Sequence, residues 1–284
     1  MSKKEKIFLI AVKMVAGYIK YGVSRSAAEL AFYLLFSLFP LLMVFHSLLS
    51  VIPIPNRLIS QMTVVFPTEI QRILWGYLEH LQSMPYIRPF LLGTLLTVYF
   101  LGRAVRSIMH SFRDICEKPE QESVLRSVLI SVSMTSLTLF FMAGGLALIV
   151  LEEQIVLWLE TYFVQTMDLV AGWRIFGILA SMVFALLYLL LCYRLLSGAS
   201  MRWRNLMSGA VFALAGWLIL TQGFAFYVKY MSRYSLLYGS IGAVIVLMIW
   251  LHLSASALLM GEVLNHILQF ELDEENRFSV SGCK

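Results

Sequence analysis

Long apolar runs alternate along the chain with short connections that carry charge or proline. Six runs reach the roughly 20 mainly apolar residues that a helix needs to cross a hydrocarbon layer. They are residues 30–52, 90–109, 128–151, 173–196, 206–228 and 241–264. None shows the short alternating segments of an outer-membrane barrel. The pattern predicts an all-α fold, a polytopic membrane helix bundle of about six transmembrane helices in a single membrane domain, residues 1–284.

Two more helices are expected outside the spans. Residues 7–24 interleave lysines with Phe8, Val12, Val15 and Ile19, the pattern of a helix lying along the inner interface. After the first span, Pro67-Thr68-Glu69 opens a helix in which Ile70, Ile73, Leu74, Tyr77, Leu78 and Leu81 recur at helical spacing. Pro85 and Pro89 close it, and its apolar stripe fits a cap over the outer mouth of the bundle, favoured because the segment is tethered at both ends, or a helix resting on lipid. Residues 271–284 read as a short acidic cytoplasmic tail.

Composition supports a membrane setting. The chain is 60% hydrophobic and only 14% charged, with a mean hydropathy of +0.79. Soluble domains are nearer half apolar and a quarter charged, because a globule must cover its surface with polar groups. The surplus calls for lipid as a second solvent. The net charge of +5 is spread among connections and forms no basic face, so it points to lipid head groups and away from nucleic acid. Cys116, Cys192 and Cys283 lie far apart, so neither a zinc site nor a disulfide framework is expected. Lysines recur through Lys20, and the first apolar run ends in Pro53-Ile54-Pro55 without a small-residue cleavage site, so a cleavable signal is not expected.

Lysines and arginines set the orientation. Lys3, Lys4, Lys6, Lys13, Lys20 and Arg25 precede or open the first span. Arg103, Arg106, Arg113, Lys118 and Arg126 are assigned to the second loop, and Arg194, Arg202 and Arg204 to the fourth. By the positive-inside rule these face the cytoplasm, and the third loop, with Glu152, Glu153, Glu160 and Asp168, faces outward. Both termini are then cytoplasmic.

Candidate chemistry lies within the spans. Glu29 opens the first, with Tyr33, Pro40 and Ser47 near one face and Ser37 beside it. Pro40 cannot donate to the carbonyl of Phe36, so a kink and a freed acceptor are expected there. Ser127, Ser131, Thr138 and Gly145 share a face of the third span, as the helical period requires. That stripe fits either interhelical packing or a polar lining. In the fifth span Gly209, Ala213, Gly216 and Gly223 align toward Tyr227, and in the sixth Ser254, Ala257 and Gly261 align beneath Trp250, as close-packing faces do. His252 lies within the sixth span and His46 within the first, while Glu262 and His266 stand one turn apart. An intramembrane ionisable group is a functional candidate by default, although a histidine bonded to a carbonyl accounts for such positions as well. The candidate polar pathway is therefore Glu29, Tyr33, Ser37, Pro40, Ser131, Thr138, His252 and Glu262. Tyr230, Tyr234 and Tyr238 read as interfacial anchors. No catalytic, cofactor-binding or metal-ligating motif occurs, and neither an enzyme nor a cofactor is expected.

Two segments carry a resemblance. Ala27-Ala28-Glu29-Leu30-Ala31-Phe32-Tyr33 runs into Phe36-Ser37-Leu38-Phe39-Pro40. Later come Tyr238-Gly239-Ser240-Ile241-Gly242, Trp250, and Gly261-Glu262-Val263-Leu264-Asn265. These resemble the YihY/BrkB family of bacterial inner-membrane proteins, once labelled ribonuclease BN, and the resemblance covers nearly the whole chain. It implies six spans and a link to envelope integrity and resistance. It implies no catalytic or binding residues, and the nuclease label is regarded as a misassignment.

The function expected is transporter-like or flippase-like, moving a small solute or a lipid-like amphiphile. The alternative is a non-enzymatic membrane scaffold for envelope assembly, with a membrane-bound hydrolase, including a ribonuclease, last. The partners expected are the bilayer and that substrate, without nucleic acid. The sequence carries no signal for an oligomeric state.

Overall fold

Peptide groups left unpaired in hydrocarbon are very unfavourable, so each apolar run closes its hydrogen bonds within itself as a helix. The computed structural model describes residues 3–49, 87–117, 124–162, 167–197, 201–231 and 235–271, and no strand occurs among them. Helix α1 is Lys3–Lys20, α2 Val23–Leu49, α3 Ile87–Ile115 and α4 Val124–Tyr162. Helix α5 is Met167–Leu196, α6 Trp203–Met231 and α7 Ser235–His266, extended by a π-turn at Ile267–Glu271. The expected outer helix at 67–85, the tail beyond 271 and Tyr234 lie outside the described residues.

Helices α2 to α7 each carry a segment long and apolar enough to span a membrane: Val23–Val44, Phe90–Ile115, Val128–Gly145, Gly172–Leu196, Trp203–Tyr227 and Val244–Gln269. They match the six hydropathic runs one for one. Some helices outrun the bilayer. The 39 residues of α4 extend about 58 Å at 1.5 Å per residue, against a hydrocarbon layer of about 30 Å. The structure corrects one expectation. Arg103, Arg106 and Arg113 are not in a loop but on α3: the first two fall within the apolar run itself and the third on its continuation to Ile115. Likewise Arg126, Glu152, Glu153 and Glu160 lie on α4, Asp168 and Arg194 on α5, and Arg204 on α6.

Helix α1 leaves Ile7, Phe8, Val12, Val15 and Ile19 exposed along one side, which suits a helix lying on a membrane surface. The chain then turns into α2 through Gly22, whose φ of 58° is a left-handed conformation that glycine adopts without steric penalty.

Consecutive spans pack side by side: α2 on α3, α3 on α4, α4 on α5, α5 on α6 and α6 on α7. Helix α7 then packs on α2, closing a ring in chain order. Across the ring, α3 also reaches α5 and α7. Buried side chains concentrate at the end where α2 and α6 begin and α3, α5 and α7 finish, with Leu30, Phe112, Tyr193, Leu206 and Val263 fully enclosed. There the rings of Phe112 and Tyr193 stack at 5.5 Å across the bundle. This end of the ring is sealed.

Candidate functional site

The sealed end holds an acidic side chain with no contact to solvent. Glu262 of α7 is 0% exposed. Asn265, one turn on, donates from Nδ2 to Glu262 Oε2 at 3.0 Å, and Cys116 Sγ donates to Oε1 at 3.5 Å. Asn265 in turn accepts the backbone N–H of Gly209 through Oδ1 at 3.0 Å, joining α7 to α6. Tyr193 donates its hydroxyl to the carbonyl of Leu258 at 2.8 Å, and its oxygen lies where a Cβ on Gly261 would have to go. A Cβ on Gly209 would likewise overlap Asn265 Oδ1 and the carbonyl of Gly261. Glycine at both positions is what lets the two backbones approach and these polar bonds form. Buried polar groups are stable in such a setting only when paired, and here they pair with one another.

Along the rest of this seam the fit is looser. Ala213 is buried, Gly216 has only ordinary contact with Ala257, and Gly223 faces open space. Gly223 thus does not join the close-packed face, because it is exposed with nothing near its Cα side. Ser254 is half-buried, and its hydroxyl oxygen is enclosed and unpaired among the described residues. His252 is half-buried, and its carbonyl accepts the Ser256 hydroxyl at 2.9 Å. His266 packs edge-on against the ring of Tyr21, with centroids 6.1 Å apart.

The hydroxyl stripe of α4 faces protein. Ser131 donates to the carbonyl of Gly102 on α3 at 3.3 Å, and Thr138 shares a hydrogen bond of 3.0 Å with Tyr188 of α5. Thr138 and Tyr188 border a cavity of about 560 Å³ between α4, α5 and α6. Its walls are mainly apolar, including Phe141, Phe184 and Trp217, with Ser181 and Glu152 as further polar groups. The carboxylate of Glu152 lies over the backbone of α5 at Gly177, where any Cβ would displace it. Among the described residues, helices α4 and α6 make no extended contact with each other, and the cavity occupies the space between them.

The polar face of α2 divides in two. Ser37 is buried and donates to the carbonyl of Leu34 in its own helix at 2.8 Å. The helix runs through Pro40, whose carbonyl would lie 2.8 Å from a Cβ on Gly93, so this stretch is closed against α3. Nearer the sealed end, Glu29 lines a separate cleft between α2 and α3 of about 350 Å³. There Arg103 donates to the Tyr33 hydroxyl at 2.7 Å, with its guanidinium 5.2 Å from the ring centre.

Sequence reasoning grouped Glu29, Tyr33, Ser37, Pro40, Ser131, Thr138, His252 and Glu262 into one pathway; the structure distributes them. Glu29 and Tyr33 belong to the α2–α3 cleft and Thr138 to the α4–α6 cavity. Glu262 belongs to the sealed end, while Ser37, Pro40 and Ser131 lie in helix contacts. Arg103, Tyr188, Tyr193 and Asn265 enter these sites without having been singled out. Asn265 alone had a visible signal, as the last residue of the Gly261-Glu262-Val263-Leu264-Asn265 segment. Beside the sealed end, Lys20 pairs with Glu117 at 2.6 Å. The shared hydrogen bond raises the lysine's pKa and lowers the carboxylate's.

A six-span helical ring with buried, mutually paired polar groups defines this as a polytopic membrane protein. The sequence matches the family described as Virulence factor BrkB over residues 14–280, and the chain belongs to that family. A ribonuclease-like protein of Bacillus subtilis, YfkH, is 30% identical over 90% of this chain and 94% of its own length. A UPF0761 membrane protein of Kangiella koreensis is 27% identical over 97% of this chain and 68% of its own length. One from Xanthomonas campestris is 26% identical over 84% of this chain and 55% of its own length. No solved structure matches the chain.

Proposed function

We propose that this is a transporter-like or flippase-like protein of the bacterial inner membrane, with both termini cytoplasmic, that moves an amphiphile. The supporting observation is the 560 Å³ cavity between α4, α5 and α6, beside a ring whose other end is sealed. Its size falls in the range of about 300–1,000 Å³ usual for small-molecule sites. Apolar walls suit a hydrocarbon portion, and Thr138, Ser181, Tyr188 and Glu152 offer hydrogen bonds to a polar portion. A cavity near mid-depth with one closed end is the arrangement that alternating access uses. Lysine and arginine placement supports a cytoplasmic position for the closed end.

The test is translocation in proteoliposomes, with fluorescent phospholipids and cationic and neutral amphiphiles as probes. Transport above protein-free vesicles is expected, and Ala185→Trp, which fills the cavity, should slow it at least tenfold. Rates equal to protein-free vesicles across that panel would defeat the reading. Co-purification of a stable envelope partner would then favour the scaffold.

A further inference from the structure

The α2–α3 cleft lies apart from the transport cavity, on another arc of the ring, and its chemistry differs. Arg25, Arg103 and Arg106 line it together with Glu29, Asp114 and His110. Three guanidiniums thus meet two carboxylates, and one of these, Asp114, is engaged by His110 at 3.2 Å. The balance is cationic. Arg25 makes no ion pair among the described residues. Ser107 lines the same cleft, is only 6% exposed, and its hydroxyl has no hydrogen-bond partner among the described residues. A buried hydroxyl without a partner is unfavourable, and an acceptor seated in the cleft would satisfy it.

What continues from the cleft identifies the occupant. On α3 the exposed residues Leu92, Leu95, Tyr99, Arg103, Arg106 and His110 follow one helical stripe. The stripe is apolar for its first part and cationic for its last. On α2 the exposed stripe runs the other way, from Arg25 and Glu29 to Phe32, Phe36 and Phe39. The two helices are antiparallel neighbours, so both charged ends meet at the cleft and both apolar ends extend from it into the span. Phe36 and Phe100 touch across them, with ring centroids 5.6 Å apart. A soluble anion would use only the charged end. A molecule with a phosphate and hydrocarbon chains matches both.

We propose that the cleft between α2 and α3 binds the phosphate head group of an anionic membrane lipid, whose chains lie along the Phe32–Phe36 and Leu95–Tyr99 stripe. Arg25 and Arg106 supply charge-assisted hydrogen bonds to phosphate oxygens, and Ser107 donates the remaining one. Arg103, held by the Tyr33 hydroxyl, presents its remaining guanidinium N–H groups at the cleft floor. Basic pockets between spans recognise lipid head groups on this physical basis. This assignment does not depend on the transport reading.

The experiment uses the full chain in detergent with equal amounts of phosphatidylglycerol and phosphatidylcholine, scored by native mass spectrometry. Phosphatidylglycerol should be retained preferentially. Arg25→Gln and Arg106→Gln should each lower its retention about fivefold, as expected for one arginine near an anionic head group. Arg106→Lys should restore part of that loss, and Arg204→Gln, away from the cleft, should have no effect. Ser107→Ala, a one-atom change, should weaken retention without lowering the thermal midpoint, since it removes a buried hydroxyl that has no partner among the described residues, so a folding defect cannot mimic the result. Equal retention of the two lipids, or cleft variants that behave like Arg204→Gln, would overturn the proposal. Competition by millimolar inorganic phosphate as strong as that by the lipid would overturn it too, in favour of a soluble anion.

Discussion

Asn265 on α7 accepts the backbone N–H of Gly209 on α6 and, from its other side-chain atom, donates to Glu262. One amide therefore fixes the approach of two spans and the position of a fully buried carboxylate. The geometry requires the absence of a side chain at residue 209, since a Cβ there would overlap the amide oxygen. The short chain of bonds from α6 through Asn265 to Glu262 and Cys116 ties three spans together at the sealed end.

Gly209→Ala should lower stability by about 1–3 kcal/mol, the usual range for overpacking. Asn265→Ala should lower it by a similar 1–3 kcal/mol or so, because a carboxylate oxygen is left without its donor. Thermal unfolding in detergent measures both. Gly223→Ala, which faces open space, should leave the midpoint unchanged. Equal midpoints for the residue 209 and 223 variants would contradict the assignment of the close contact.

Glu262→Gln keeps the shape and the acceptor that Asn265 uses, so its midpoint should stay near that of the parent chain. Glu262→Ala removes the side chain from a fully enclosed position and should cost roughly 2 kcal/mol or more. If both variants fall equally, the carboxylate's charge matters more than the hydrogen bonds seen here.

Thr138 and Tyr188 join α4 to α5 through their hydroxyls. Thr138→Val and Tyr188→Phe should each be mildly destabilising, and a double-mutant cycle should return a coupling of about 0.6 kcal/mol, the typical value for a hydrogen bond between spans. A coupling of zero would mean that the two hydroxyls do not bond in the membrane.

The Lys20–Glu117 pair contributes a pH-dependent increment with two limbs. Glu117 titrates below its ordinary 4.5, so its contribution is present above that pH and is lost as pH falls through the depressed value. Lys20 titrates above its ordinary 10.5, so its contribution is complete below that pH and is lost as pH rises through the elevated value. Both side chains are more than half exposed, at 61% and 57%, so solvent screening holds the increment below about 1 kcal/mol. Glu117→Gln should flatten both limbs in stability measured against pH, and high salt should shrink the difference between the two proteins.

Hydropathy made the six spans legible because a run long and oily enough to cross a bilayer is a local property of the chain. The alignment of Gly209, Ala213 and Gly261 was legible for the same reason, since helical spacing alone puts small residues on one face. The same reasoning overreached at Gly223, where the spacing continues but the position is exposed and meets no neighbour. It also placed Arg103, Arg106 and Arg113 in a loop because they are charged, although the first two lie within the apolar run and all three are on α3.

The amino-acid order by itself determined that this chain lives in lipid as a set of long helices, because the surplus of apolar side chains leaves no water-soluble arrangement. Only the tertiary structure decided which polar residues meet. Glu29 and Glu262 share an acidic character that sequence reading joined into one path, yet they stand at different contacts because α2 turns one toward α3 while α7 turns the other into the sealed core. Contacts between distant parts of the chain, such as Arg103 with Tyr33 or Asn265 with Gly209, depend on which helices become neighbours and how closely their backbones approach. Packing of the whole bundle sets that.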